Sequence, residues 1–182
     1  MITVLKNTEF SQLVDKARKG DADAFAELYS LVYKDLYRIA LANLNNNQHD
    51  ASDVVSDTVL DAYSSIKKLK DESAFKAWIT KILTAKIKKK QKEYIERNSY
   101  RKELDDIENV EQGRSGEIHE NGFEIMEEFK KLGTEERLVL SLSVISGYTS
   151  EEIARMTGIS ANTVRSKVAR AKIKLKEMLT DR

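Results

Sequence analysis

The chain has 182 residues, with 31 lysines and arginines against 30 aspartates and glutamates, so its formal net charge is only +1. It contains no cysteine, which excludes disulfides, thiolate metal sites and a cysteine nucleophile. Proline is also absent and straight-chain residues are abundant, a composition that favours helices over sheet. We therefore expect an all-α protein of two small helical domains in the cytoplasm, without a signal peptide or membrane insertion, because no apolar run is long enough to span a bilayer.

Apolar residues recur at steps of three and four through the first hundred residues, which predicts a helical bundle. One predicted buried stripe consists of Ala24, Phe25, Leu28, Leu31 and Val32. A further stripe continues to Leu44, where three consecutive asparagines at 45–47 are expected to end the helix.

The next predicted helix carries an acidic row. Asp53, Asp57 and Asp61 follow one another at intervals of four, on a different face from the apolar Val54 and Val55. Carboxylates at this spacing repel one another modestly. Such a row is either a solvated edge or a surface that docks a basic partner, and the spacing alone leaves both open.

A basic helix with an aromatic stripe follows. Its lysines are Lys81, Lys86, Lys88, Lys89, Lys90 and Lys92. Single-stranded DNA is bound by rings that stack on bases and by lysines that follow the backbone. Most of the apolar residues, Trp78 included, are expected in the core, so the polar loop at 67–73 is the better place to meet an unstacked base.

After this basic helix, residues 103–128 are strongly acidic. The segment near the C-terminus is basic again. The acidic stretch has several glycines and little apolar periodicity, which predicts a flexible linker at 98–121. The expected domains are therefore residues 1–97 and 122–182.

Residues 147–179 predict a helix-turn-helix. Thr149 and Glu152 have the spacing of a capping box, which starts a short first helix. Gly158 can adopt a positive φ in the turn, and Ser160 is placed to cap the second helix.

The second helix of this motif should bury Val164, Val168, Ala171, Leu175, Met178 and Leu179. Its opposite, polar face is formed by Ser160, Asn162, Thr163, Arg165, Ser166, Lys167 and Arg170. Arginine and asparagine side chains recognise guanine and adenine in a major groove, whereas hydroxyls and lysines contact phosphates. An amphipathic helix with a solvated charged face is the alternative, but the ordered caps and turn favour DNA binding.

Several segments together resemble a bacterial sigma factor of the extracytoplasmic-function (ECF) type, within the sigma-70 family. In the first half they are Lys19-Gly20-Asp21, Ala24-Phe25, Leu28-Tyr29, the run DASDVVSDT at 50–58 and Phe75-Lys76-Ala77-Trp78-Ile79. In the second half they are Ser150-Glu151-Glu152-Ile153-Ala154, Gly158-Ile159-Ser160, Thr163-Val164-Arg165-Ser166-Lys167 and Arg170-Ala171. Their order and spacing cover nearly the whole chain.

This resemblance implies three surfaces. The acidic helix would dock the clamp helices of the largest subunit of core RNA polymerase, through Asp50, Asp53, Val54, Ser56 and Asp57. The loop and basic helix would melt and read the minus-ten promoter element, through Lys67, Lys68, Lys70, Asp71, Ser73, Lys76, Trp78, Lys81, Lys86, Lys88 and Lys89. The polar face of the recognition helix, from Ser160 to Arg170, would read the minus-thirty-five element as duplex.

The resemblance also implies further partners. The flap of the second-largest polymerase subunit is an implied partner, and an anti-sigma factor is expected as another. The acidic linker would thread the channels of the core enzyme. No cofactor, metal site or catalytic residue is expected, because His49 and His119 lie in no nucleophile or metal motif.

Two other functions remain open. A stand-alone regulator would bind palindromic duplex as a dimer without polymerase. A sigma-like interaction module would bind polymerase without opening promoters. The basic helix and the acidic linker favour the sigma factor, since a simple regulator needs neither.

Overall fold

The computed structural model describes residues 7–104 and 127–180. The first half of the chain contains α1 (Asn7–Arg18), α2 (Ala22–Asn43), α3 (Gln48–Ser65) and α4 (Phe75–Leu104), and the second half α5 (Thr134–Ile145), α6 (Ser150–Thr157) and α7 (Ala161–Thr180). Two short 3-10 turns, Ile66–Lys68 and Glu72–Ala74, connect α3 to α4. No strand occurs in either described range, and the all-α prediction is confirmed. None of the described helices has the length and apolarity that crossing a bilayer requires.

Polar side chains begin several of these helices. The Asp21 carboxylate accepts a hydrogen bond from the Ala24 amide (3.0 Å), and Asn47 accepts one from the Asp50 amide (3.1 Å). Between α2 and α3 the chain turns at Asn45 and Asn46, whose φ angles are 55° and 61°. Asparagine tolerates this left-handed region better than most residues, so the predicted helix break at 45–47 is confirmed.

The buried residues of the first half follow the predicted periodicity closely. Fully buried side chains include Leu28, Leu36, Ile39, Leu44, Phe75, Ile79, Leu83 and Ile87. The prediction for Leu31 is wrong, because this side chain is 38% exposed. Leu31 lies about 100° around the helix axis from Val32, at the edge of the stripe, where the neighbouring helices no longer cover α2.

The two halves of the chain pack against each other. Helix α2 contacts α5, and α4 contacts α6. Leu142 and Ile153 belong to the same apolar cluster as the first four helices. Two hydrogen bonds cross the same boundary, from Asn43 Nδ2 to Ser141 Oγ (2.8 Å) and from Arg137 to Asn45 Oδ1 (3.1 Å).

The position of the linker is described only in part. Helix α4 continues to Leu104, so residues 98–104 of the predicted linker are helical. The remainder, 105–121, lies outside the described residues. The domain boundaries at 97 and 122 therefore stay a prediction.

Gly158→Ala is expected to lower the free energy of unfolding by about 1 kcal/mol, the cost of holding a residue with a Cβ in the left-handed region. Gly158 ends α6 with φ at +77°, and its amide donates to the Ala154 carbonyl at 2.9 Å. Urea unfolding of the full chain measures the change.

Gly133→Ala is the matched control. Gly133 has an ordinary φ of −60°, and an added Cβ would lie 3.7 Å from Glu136 Oε2, an ordinary contact distance. Gly133 is the N-cap of α5, where alanine is less favourable than glycine, but alanine also lowers the entropy of the unfolded chain. Because these two effects oppose each other, we expect a smaller loss of stability than in Gly158→Ala. If both variants lost the same free energy of unfolding, the loss in Gly158→Ala would not come from the backbone conformation of Gly158.

Candidate functional site

The helix-turn-helix is built by α6, the turn after it and α7. The Thr149 amide donates to Glu152 Oε2 (2.8 Å), and Thr149 Oγ1 accepts from the Glu152 amide (3.3 Å), so the predicted capping box is confirmed. Hydrogen bonds from the backbone and side chain of Thr149 lower the pKa of Glu152. Gly158 adopts the predicted positive φ in the turn.

Helix α7 begins at the predicted cap, since Ser160 Oγ accepts from the Thr163 amide at 3.2 Å. Val164 and Ala171 are fully buried, and Val168 and Leu175 are partly buried. These four positions confirm the predicted inward stripe. The side chains of Met178 and Leu179 are not among those that the structure describes.

The outward face of α7 holds the predicted DNA-reading residues together. Its exposed members are Ser160, Asn162, Thr163, Arg165, Ser166 and Arg170. Lys167 is partly buried and pairs with Glu135 at 2.9 Å. The face therefore presents donors and acceptors suited to base edges together with hydroxyls suited to phosphates.

Arg165 has two side-chain partners on this surface of the motif. Its guanidinium donates to Asn162 Oδ1 at 2.7 Å and forms an ion pair with Glu151, which lies in the first turn of α6. Glu151 could not be assigned to the site from the sequence, because its side chain meets Arg165 only when α6 packs against α7.

The acidic face of α3 is accessible at three of the five predicted polymerase-binding positions. Asp53, Ser56 and Asp57 are exposed, and neither aspartate has a hydrogen bond or ion pair with any residue in the described ranges. The two aspartates line a charged groove between α3 and α4, which also contains Lys89 and Lys90. The groove contains three carboxylates, Asp53, Asp57 and Glu93, and three lysines, Lys86, Lys89 and Lys90. Because no side chain in the described ranges pairs with Asp53 or Asp57, these two carboxylates can still meet a basic partner surface.

The other two predicted positions serve the fold. Val54 is 6% exposed and packs in the apolar core. Asp50 joins α3 to α4, because its carboxylate contacts Lys90 Nζ at 2.8 Å and accepts from Tyr94 Oη at 2.5 Å. Burial raises the pKa of Asp50, but the hydrogen bonds from Lys90 and Tyr94 outweigh burial and hold the pKa below its ordinary value.

Tyr94→Phe is expected to lower the free energy of unfolding at neutral pH by about 1.5–3 kcal/mol, because a hydrogen bond to an ionised carboxylate is lost. The pKa of Asp50 is depressed in the folded protein, so its contribution is present above the unfolded pKa of about 3.9 and is lost as pH falls through the lower folded value. The difference between variant and wild type should therefore shrink on acidification below pH ~4. Urea unfolding at neutral and acidic pH measures both.

Tyr37→Phe is the control for the loss of a hydroxyl. Tyr37 is also partly buried, but its hydroxyl makes no hydrogen bond within the described part of the chain. Its removal should change stability little at any pH. If the loss in free energy of unfolding caused by Tyr94→Phe stayed constant down to the lowest pH at which the protein is folded, Tyr94 would not stabilise the fold through Asp50.

The predicted minus-ten loop lies on the surface. Lys67, Lys68, Lys70, Asp71 and Ser73 are all exposed. Asp71 Oδ1 accepts from the amide (2.9 Å) and the hydroxyl (2.7 Å) of Ser73, which fixes the turn before α4.

A cleft of about 590 Å³ opens beside this loop. Trp78 is half-buried and lines it together with Lys68, Lys70 and Lys81. Arg155 and Met156 of α6 form part of its wall, so the second half of the chain borders the cleft. A ring and several cations in one cleft could hold a base and its phosphate.

The remaining predicted minus-ten residues do not share one surface. Lys76 Nζ lies 5.6 Å from the centre of the Phe10 ring. Lys86 pairs with Asp61 on α3 at 2.6 Å, whereas Lys88 donates to the Thr157 carbonyl of α6 at 2.5 Å. Because two residues advance a helix by about 200°, Lys86 and Lys88 face opposite neighbours. Lys89 is exposed and lines the groove beside Asp53.

Taken together, an all-α fold that ends in a helix-turn-helix with an exposed basic face is typical of DNA-binding proteins. The model of the ECF sigma factor family matches residues 7–181. The chain therefore belongs to the ECF sigma factor family, and the resemblance noted in the sequence is confirmed.

Individual relatives agree with this assignment. The chain is 28% identical over 140 residues to the RNA polymerase sigma factor SigV of Bacillus subtilis, which covers 76% of this chain and 80% of SigV. Among solved structures it is similar to CnrH in complex with the cytosolic domain of CnrY, with a TM-score of 0.67, 26% identity and coverage of 93% of this chain and 96% of that one. It shares its fold with the sigma factor RpoE in complex with the anti-sigma factor NepR from Bartonella quintana, with a TM-score of 0.68, 23% identity and coverage of 88% and 100%.

Proposed function

We propose that this chain directs core RNA polymerase to specific promoters and helps to open them. The exposed reading face of α7 carries the proposal, because a sigma factor needs a duplex-reading surface and Arg165, Asn162 and Ser166 lie together on it. Membership of the ECF sigma factor family supports it independently.

Polymerase binding is assigned to the acidic face of α3. Asp53 and Asp57 are exposed and have no partner within the described ranges, so their charge is available to a basic surface on the clamp helices. Asp50 and Val54 hold this helix against α4 and the core. The C-terminal half would meet the flap of the second-largest subunit.

Promoter opening is assigned to the cleft beside Trp78. Unstacking a base costs a few kcal/mol, which capture of the extruded base offsets. Trp78 offers a ring for stacking, and Lys68, Lys70 and Lys81 offer charge for the backbone. No covalent chemistry is required of the chain.

Reading both promoter elements at once would require the halves to separate. The two elements lie about 25 base pairs apart, or roughly 85 Å at about 3.4 Å per base pair. A compact chain of this length has a radius of gyration of only about 16 Å. Contacts such as Lys88 to the Thr157 carbonyl would then break on promoter binding.

An anti-sigma factor is a second proposed partner. CnrH and RpoE were each solved in complex with a protein, the cytosolic domain of CnrY and the anti-sigma factor NepR respectively. We propose that a protein of this kind binds the present chain and holds it away from polymerase.

Run-off transcription tests the main proposal. Purified bacterial core polymerase and fragmented genomic DNA from the source organism are incubated with and without the full chain. Discrete transcripts that require the chain are the expected result, and sequencing their starts would identify the promoters. Binding to core without transcripts would instead indicate an interaction module. If the chain neither bound core polymerase nor supported transcription, but bound palindromic duplex tightly, it would be a stand-alone regulator.

A further inference from the structure

We infer that Glu151 is a specificity-determining residue, which positions Arg165 for reading a base. The inference rests on the proposed function, because it requires α7 to read duplex DNA. Glu151 itself would touch no base. It would act through the guanidinium that it holds.

Two acceptors from different helices hold the Arg165 guanidinium. Asn162, one turn earlier on α7, accepts from one terminal nitrogen at 2.7 Å. Glu151 of α6 pairs with the other terminal nitrogen. The arginine thus contacts both helices of the motif, and these two contacts favour one orientation of the guanidinium plane.

Glu151 is well placed to serve as an anchor. It lies in the first turn of α6, where the helix dipole favours a negative charge. The capping box between Thr149 and Glu152 fixes that turn on either side of it. The carboxylate is therefore presented from a well-defined backbone.

The held guanidinium keeps enough donors to read a base. Arginine has five N–H groups, and the contacts to Asn162 and Glu151 use one on each terminal nitrogen. The remaining donors can still meet the O6 and N7 acceptors of guanine. Because the two contacts restrict the side chain in part before DNA binds, somewhat less rotamer freedom remains to be lost on binding.

Glu151 should also bias Arg165 away from phosphates. A carboxylate beside the guanidinium repels a phosphate, whereas a guanine edge carries no net charge. The Arg165 and Glu151 side chains are 55% and 57% exposed, and an exposed ion pair contributes little to folding. Loss of Glu151 should therefore change recognition and leave stability nearly unchanged.

Selection from a library of duplexes with a randomised segment tests this inference. The full chain is used alone and with purified core polymerase, and bound duplexes are sequenced to give base preferences at each position. The variants are Arg165→Ala, Glu151→Ala and Glu151→Gln. Glu135→Ala is the matched control, because Glu135 is a similarly exposed carboxylate that pairs instead with Lys167.

Arg165→Ala should abolish the preference at one base position. Glu151→Ala should lower the preference at that same position by about threefold to tenfold, a part of what a bidentate arginine supplies. Glu151→Gln, which keeps an acceptor, should retain more of the preference. Glu135→Ala should strengthen binding to all duplexes without altering that position, because only a negative charge is removed.

The inference would be overturned if Glu151→Ala had the same base preferences as the wild type, or if its binding changed equally for all duplexes as in Glu135→Ala. Either result would leave duplex reading by α7 intact. A flat wild-type profile in both formats would instead contradict the proposed duplex reading itself. Thermal unfolding of each variant separates a loss of preference from a loss of folding.

Discussion

Reversing both Asp53 and Asp57 to lysine is expected to weaken association with core RNA polymerase by on the order of 100-fold or more, because like charges brought together at an interface cost several kcal/mol. Both carboxylates are exposed and have no partner within the described ranges, so no hydrogen bond or ion pair of the fold is lost when they are replaced. Thermal unfolding of the variant measures any repulsion from the lysines that line the same groove. Fluorescence titration of labelled full-length chain with purified core polymerase measures the change. The wild-type affinity should itself fall with added salt.

Glu27→Lys, compared with the single variant Asp53→Lys, is the control for a change in overall charge, because each of these replacements raises the net charge by the same amount. Glu27 is also exposed and helical, but it lies on α2 rather than on the acidic face. This variant should bind core polymerase about as well as wild type, and both variants should keep the wild-type base preferences on isolated duplex, because neither changes α7. If the double reversal bound core polymerase normally, the acidic face would not be the docking surface.

Local features of this protein were predictable from the sequence. The capping box at Thr149, the positive φ at Gly158 and the cap at Ser160 each depend on residues within a few positions of one another. The helix break at 45–47 has the same origin. The motif that carries the reading face was therefore recognisable before its packing was known.

Features that depend on distant residues were not predictable. The polymerase-binding role of Asp50 stays a prediction, but the contacts of its carboxylate with Lys90 and Tyr94, 40 and 44 positions later, could not be foreseen. The role of Lys88 at the minus-ten element likewise stays a prediction, but its hydrogen bond to a carbonyl 69 positions away could not be foreseen. Spacing along one helix shows which residues share a face, and it does not show which neighbouring helix will cover that face.

Arg165→Ala is expected to weaken recognition of the preferred duplex by about 1–3 kcal/mol, or about 5-fold to 150-fold, the discrimination that a good bidentate arginine provides. The side chain is 55% exposed and its contacts are to exposed partners, so its removal should not unfold α7. The loss should be large on the selected sequence and small on unrelated duplexes. Competition binding against both kinds of duplex measures the two separately.

Lys172→Ala is the matched control, since it removes one positive charge from an exposed position farther along the same helix. A lysine that acts only through charge should weaken binding to all sequences alike and reduce the salt dependence slightly. The contrast between the two variants is decisive because both lose one positive charge. If Arg165→Ala weakened every duplex equally, Arg165 would contact phosphate, and the reading face would have to lie elsewhere on α7.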